Sequence, residues 1–197
     1  VPMHRRPRPR GGAFVLSWGN ADAADLALAL GREALHRDDL FLGRLCPRCG
    51  SASHGRPLIV DAAGREVPDA HVSLSRCGAF GVAAFSADPV GVDVQGWVDA
   101  DATLASVVLH PRERGRDAAD LTRHWVLKEA LLKALGTGLA TDPRLIRLGG
   151  VRTPRVVSGP GRGARLTFRE LPGPGGDGPE RYAVALAVLP GFGRPGR

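Results

Sequence analysis

Residues 121–135 are the stretch that most restricts what this chain can become. They are mostly strong helix formers, and Gly136 and Gly138 follow where a left-handed C-terminal cap belongs, so the spacing predicts a helix that stops there. On a helical wheel Leu121, Trp125, Leu127, Ala130, Leu131, Leu132, Ala134 and Leu135 leave almost no sector without an apolar residue. Such a helix has to be largely covered by the rest of the fold. Glu129 and Lys133 stand one turn apart in the narrow polar strip between Trp125 and Val126. Spacing alone favours a solvated i,i+4 ion pair, which is common on surfaces and weak.

The stretch 90–95 upstream alters that balance. With period two, Val90, Val92 and Val94 point one way and Gly91, Asp93 and Gln95 the other, so two oxygen-bearing side chains share one face of a strand. A strand carboxylate near a helix carboxylate and a lysine is a donor set for one Mg²⁺ and a phosphate, because Mg²⁺ takes one or two carboxylates and fills its shell with phosphate and water.

Gly91-Val92-Asp93-Val94-Gln95 followed by Trp125-Val126-Leu127-Lys128-Glu129-Ala130-Leu131-Leu132-Lys133 resembles the signature of the 4′-phosphopantetheinyl transferases, in particular the larger, monomeric surfactin type. His54-Gly55-Arg56-Pro57 and Val72-Ser73-Leu74-Ser75-Arg76-Cys77-Gly78 are similar to two further segments of that family and come in the same order. Four motifs in order make the likeness specific, and they span residues 41 to 140.

The resemblance implies an α+β fold of two similar α/β lobes in a pseudo-twofold arrangement. A flexible basic leader would occupy 1–12, an N-terminal lobe 13–90 and a C-terminal lobe 91–197. The implied activity is transfer of 4′-phosphopantetheine from coenzyme A to a serine of an acyl or peptidyl carrier protein, with Mg²⁺ as the metal. Asp93, Gln95 and Glu129 would hold the metal, and Asp93, Glu129 and Lys133 would carry the chemistry. Arg56, Ser75, Arg76 and Lys133 would face the coenzyme. Two departures stand out. Gln95 replaces a second strand carboxylate, which predicts weaker metal affinity and more water ligands. Arg76 stands where the family usually has histidine, and keeps a cationic donor. The segment 36–46 is also short where relatives carry basic residues for the 3′-phosphate, and it leaves Arg32, Arg37 and Arg44 as candidates.

Composition decides between rivals. A net charge of +7 favours an anionic partner, but Arg5, Arg6, Arg8 and Arg10 sit in a Pro-rich head, and without them +3 remains. A nucleic-acid module is disfavoured further by the ten Phe, Trp and Tyr residues, too few for stacking platforms. A relative that binds coenzyme A or carrier protein without turnover is the second alternative, motivated by Gln95 and the short 36–46 segment. No run of apolar residues reaches the length of a membrane span, and the basic start lacks an apolar stretch typical of a secretory signal, so the expected compartment is the cytoplasm. Three cysteines do not make a disulfide framework. Cys46-Pro47-Arg48-Cys49 with His54 has the spacing of half a zinc site, to which Cys77 or His71 could add a ligand, and the reading favoured here is an ordinary tight turn.

Other elements follow from local pattern. Strands are expected at 13–17, 58–60, 71–75, 79–85, 151–157, 164–170 and 181–189, the last apolar enough to be central. Ser75 and Arg76 are expected at a hairpin tip. Helices are expected at 22–36 and 103–109, with Asp101 or Thr103 as a cap for the second, and another starting at His110-Pro111. The stretch 172–179 is expected to be a hairpin loop.

Overall fold

The computed structural model describes residues 14–19, 22–97, 102–173 and 181–191. The basic leader, Asp101 and most of the 172–179 loop lie outside the described residues. In chain order the elements are β1 (Phe14–Gly19), α1 (Ala23–Leu35), β2 (Phe41–Leu45), β3 (Arg56–Val60), β4 (His71–Cys77), β5 (Phe80–Ser86), β6 (Val90–Gln95), α2 (Ala102–Val108), α3 (Ala118–Ala134), β7 (Arg147–Leu148), β8 (Val156–Ser158), β9 (Arg165–Pro172) and β10 (Arg181–Val188).

Local chemistry sets the helix ends. The Asp22 carboxylate accepts the Ala24 N–H at 2.7 Å and starts α1. Asp117 does the same for α3 through the Asp120 N–H at 2.7 Å, so α3 begins one turn before the apolar run that predicts it. Gly136 ends α3 in the left-handed region at φ +73°, and the Thr137 N–H returns to the Leu132 carbonyl at 3.1 Å.

Two three-stranded antiparallel sheets carry the fold, with orders β1-β5-β4 and β6-β10-β9. Each half therefore runs strand, helix (two helices, α2 and α3, in the second half), two-stranded hairpin and two strands, with its last strand in the middle of its sheet. The fold is mixed α and β, as the sequence predicts, and both three-stranded sheets are antiparallel. Leu26, Ala27 and Leu30 of α1 pack on Val72, Ala83 and Phe85 of the first sheet. Val126, Leu127, Ala130 and Leu131 of α3 belong to one cluster with Ala183, Ala185 and Ala187 of β10. The alternate residues of β10, Val184, Leu186 and Val188, join Val90, Val92 and Val94 of β6 and Phe80, Val82 and Ala84 of β5. So β10 is apolar on both faces because a helix covers one and the other sheet covers the other, and its alanines leave room for the helix.

Small polar side chains of β4 tie the sheets together. Ser73 Oγ accepts the Val92 N–H at 3.0 Å, and Cys77 Sγ accepts the Gly96 N–H at 3.2 Å. Both belong to the face of β4 that also bears Ser75, since strand side chains alternate.

Three expectations need correction. Residues 110–114 form a turn, not a helix: the Glu113 N–H donates to the His110 carbonyl, and the Glu113 carboxylate accepts the His110 N–H at 2.7 Å. The strand expected over 151–157 shrinks to β8, because 151–154 turn before it. Ser75 and Arg76 lie within β4, and the hairpin tip is at Gly78, left-handed at φ +57°.

Gly91 fixes how closely α3 sits on β6. A methyl group there would overlap the Ala130 carbonyl oxygen and the Ala134 amide nitrogen, main-chain atoms that only a shift of the helix can move. Gly91→Ala should therefore cost about 1–3 kcal/mol in denaturant unfolding, and a loss within about 0.5 kcal/mol, typical of a surface change, would show that the helix is free to move away.

Candidate active site

Asp93 on β6 and Glu129 and Lys133 on α3 meet where the helix crosses the strand. Asp93 is 3% exposed. Its Oδ1 accepts two hydrogen bonds, from the Ser75 hydroxyl at 2.8 Å and from Lys133 Nζ at 2.7 Å. Lys133 Nζ also donates to Ser75 Oγ at 3.0 Å and to the Val92 carbonyl at 3.1 Å. Lys133 thus reaches to the neighbouring strand, and the surface-pair reading of Glu129 and Lys133 gives way to an ion pair with a buried aspartate.

The opposite oxygens are left over. Asp93 Oδ2 and Glu129 Oε1 are both buried and neither has a hydrogen-bond partner. A buried acceptor without a donor is costly, and a charged one more so. Burial first, and then the Asp93 charge, push the Glu129 carboxyl above the ordinary carboxylate range, while Lys133 partly offsets them. Two carboxylates and one ammonium leave the cluster one negative charge in excess. Hard carboxylate oxygens and an unbalanced negative charge are what a divalent cation requires, so the residues present fit such an ion. Gln95 stands two residues beyond Asp93 on the same strand face, half-buried.

The remaining predicted residues divide. Arg56 and Lys133 line one cleft with Glu66, His71, Pro89 and Val90. Arg56 donates to Glu66 at 3.0 Å in an exposed pair. Ser75 is inside the cluster. Arg76 is exposed and belongs to the β4 face opposite Ser75, so it is not brought to the carboxylates. Of the arginines considered for a 3′-phosphate, Arg32 holds the Leu40 carbonyl at 2.9 Å and Arg37 pairs with Asp39 at 2.6 Å. Arg44 reaches the Gly55 carbonyl at 3.4 Å.

Sequence reasoning passed over a second charged cluster behind the first. Lys128 is fully buried and donates to Glu113 Oε2 at 2.6 Å and to the Val108 carbonyl at 2.7 Å. Glu113 Oε1 accepts the Leu148 N–H at 2.6 Å. Burial lowers the Lys128 ammonium below the usual lysine range, against the pull of Glu113. The pair ties α2, α3, the 110–113 turn and β7 together, and a signal for it existed: Lys128 falls seven residues after Leu121, in a sector of the wheel that must be covered.

The stretch that bears this cluster matches a known protein family. The sequence model of the 4′-phosphopantetheinyl transferase superfamily matches residues 89–187, half of the chain, and includes Asp93, Glu129 and Lys133. The chain is a member of that superfamily. No match was found among curated proteins.

Because burial and the Asp93 charge both disfavour the ionised form of Glu129, removing its charge should stabilise the metal-free protein. Glu129→Gln is expected to raise the midpoint of thermal unfolding by about 2–4 °C at neutral pH, the shift expected per kcal/mol for a chain of this size. An acid whose folded pKa is raised takes up its proton on the native side, so the wild type gains stability as pH falls through that pKa and the gap to the variant should close. A variant less stable than the wild type at neutral pH would contradict the assignment of strain to this carboxylate.

Proposed function

We propose that this protein transfers 4′-phosphopantetheine from coenzyme A to a serine of an acyl or peptidyl carrier protein, as a two-lobed, monomeric member of the surfactin type. The observation that carries the reading is the pair of buried, partnerless oxygens, Asp93 Oδ2 and Glu129 Oε1, on the two segments that bear the family signature. The repeated strand order in the two halves supports a pseudo-twofold relation between lobes 13–90 and 91–197.

In this reading Asp93 and Glu129 would hold Mg²⁺, and Gln95 would add a neutral donor. When bound, Mg²⁺ would supply charge neutralisation at the pyrophosphate of the coenzyme. Lys133, already fixed by Ser75 and the Val92 carbonyl, keeps Asp93 oriented and places a positive charge beside the transferred phosphate. Arg56 shares the cleft with Lys133 and exchanges its exposed partner Glu66 for a coenzyme phosphate. The carrier serine attacks the phosphorus next to the pantetheine arm, and its proton passes to Glu129, directly or through water. The phosphoanhydride bond breaks and adenosine 3′,5′-bisphosphate leaves with the electron pair. Arg76 faces away from Ser75, and its part in this reading is at the rim of the site.

Gln95 supports a second reading, a relative that binds coenzyme A or carrier protein without turnover, because one strand carboxylate is missing from the donor set. Intact mass of an apo carrier protein after incubation with coenzyme A and Mg²⁺ separates the two. Addition of one phosphopantetheine, suppressed by EDTA and abolished by Asp93→Ala and Glu129→Ala in folded protein, is the expected result. Calorimetric binding of coenzyme A with no mass gain across several carrier proteins would favour the second reading, and an active Glu129→Ala variant would refute the assignment of roles.

A further inference from the structure

The connection from β2 to β3 has a built geometry that the transferase reading does not use. Cys46 follows β2 directly, its N–H donates to the Ser51 carbonyl at 2.9 Å, and its carbonyl accepts the Gly50 N–H at 2.8 Å. Gly50 makes that closure possible, being left-handed at φ +72°. Cys46-Pro47-Arg48-Cys49-Gly50 is thus wound into a tight knuckle.

The rest of the loop brings an imidazole to this knuckle. Gly55, at φ +103°, packs so tightly on Leu45 and Cys46 that a methyl group there would overlap their main chain. That contact sets His54 over the cysteines. Its Nε2 lies 3.4 Å from Cys49 Sγ, and the ligand atoms of Cys46, Cys49 and His54 all fall within 4.8 Å of one another. Tetrahedral zinc, with bonds of about 2.3 Å to sulfur and about 2.0–2.1 Å to nitrogen, separates neighbouring ligand atoms by about 3.5–3.8 Å. The Cys49–His54 pair, at 3.4 Å, is close to that separation, and Cys49 and His54 are exposed enough to adjust.

We infer that Cys46, Cys49 and His54 form a Zn²⁺ site that closes the β2–β3 loop, with solvent in the fourth position. Sulfur and imidazole select zinc over the hard cation suited to Asp93 and Glu129. Neither residue that the sequence suggests as a fourth ligand takes part: Cys77 Sγ accepts the Gly96 amide, and His71 lines the Arg56 cleft. Binding releases two thiol protons to solvent and leaves the metal as a thiolate complex. The site lies two residues before Arg56 on the same tight loop, so it fixes the approach of the chain to that cleft.

The full-length protein, reduced and freed of metal with a chelator, is titrated with Co²⁺ and then with Zn²⁺. The expected result is a thiolate-to-cobalt charge-transfer band with tetrahedral d–d absorption that saturates at one Co²⁺ per chain and is bleached by Zn²⁺. Cys49→Ser should abolish the band and His54→Ala should weaken it, both with circular dichroism like that of the wild type. Zn²⁺ should also slow tryptic cleavage after the exposed Arg48 in the wild type and not in Cys49→Ser. Absence of the band at stoichiometric Co²⁺, or equal bands in wild type and Cys49→Ser, would reduce the cluster to a thiol–imidazole hydrogen bond and overturn the inference. Neither readout involves coenzyme or carrier protein, so failure here leaves the transferase reading standing, and failure of transfer leaves this one standing.

Discussion

Helix α3 lies with its main chain directly on strand β6, and the contact exists because Gly91 has no side chain to hold the two apart. That approach lets Lys133 span from its helix to Asp93 and the Val92 carbonyl on the strand, and it sets Glu129 against the same aspartate. The alanines of β10 support the approach from beside β6, and the valines on the far side of both strands anchor it to the other sheet. Packing therefore comes first, and the electrostatics of the site follow from it.

Those electrostatics are poorly balanced in the protein alone. Lys133 neutralises one carboxylate, and the second is left with a buried oxygen that nothing donates to. A fold selected only for stability would replace such a group by an apolar one or give it a partner. The neighbouring Lys128–Glu113 pair shows the difference: it is deeper, and its carboxylate oxygens are used by Lys128, the His110 amide and the Leu148 amide. One buried charged cluster is complete and structural, and the other is open.

The legible parts of the site were those set by period. Alternation in β6 put Asp93 and Gln95 on one face, and the near-complete apolar wheel predicted that α3 would be covered. The ion pair of Lys133 with Asp93 was not legible from helix spacing, which names the residue one turn away; only the family resemblance put the two residues in one site. The inward turn of Glu113 was missed for the same reason: Pro111 suits the first turn of a helix, but the Glu113 carboxylate is drawn to Lys128 across the fold. Strand β2 escaped notice because Phe41 and Leu45 stay exposed and Gly43 interrupts any alternation. Arg76 followed Ser75 in the motif, yet adjacent strand residues face opposite ways, so proximity in sequence did not bring both to the site.

If the unpartnered oxygens exist to hold a cation, binding of that cation is the direct readout. Mn²⁺, a paramagnetic substitute for Mg²⁺, can be titrated into the protein with coenzyme A present and its bound fraction read by electron paramagnetic resonance. One Mn²⁺ per chain in the wild type, displaced by Mg²⁺ and lost in both Asp93→Asn and Glu129→Gln, is the result this account predicts. Undiminished Mn²⁺ binding in the two folded variants would contradict it, and the strain at Asp93 and Glu129 would then need another cause.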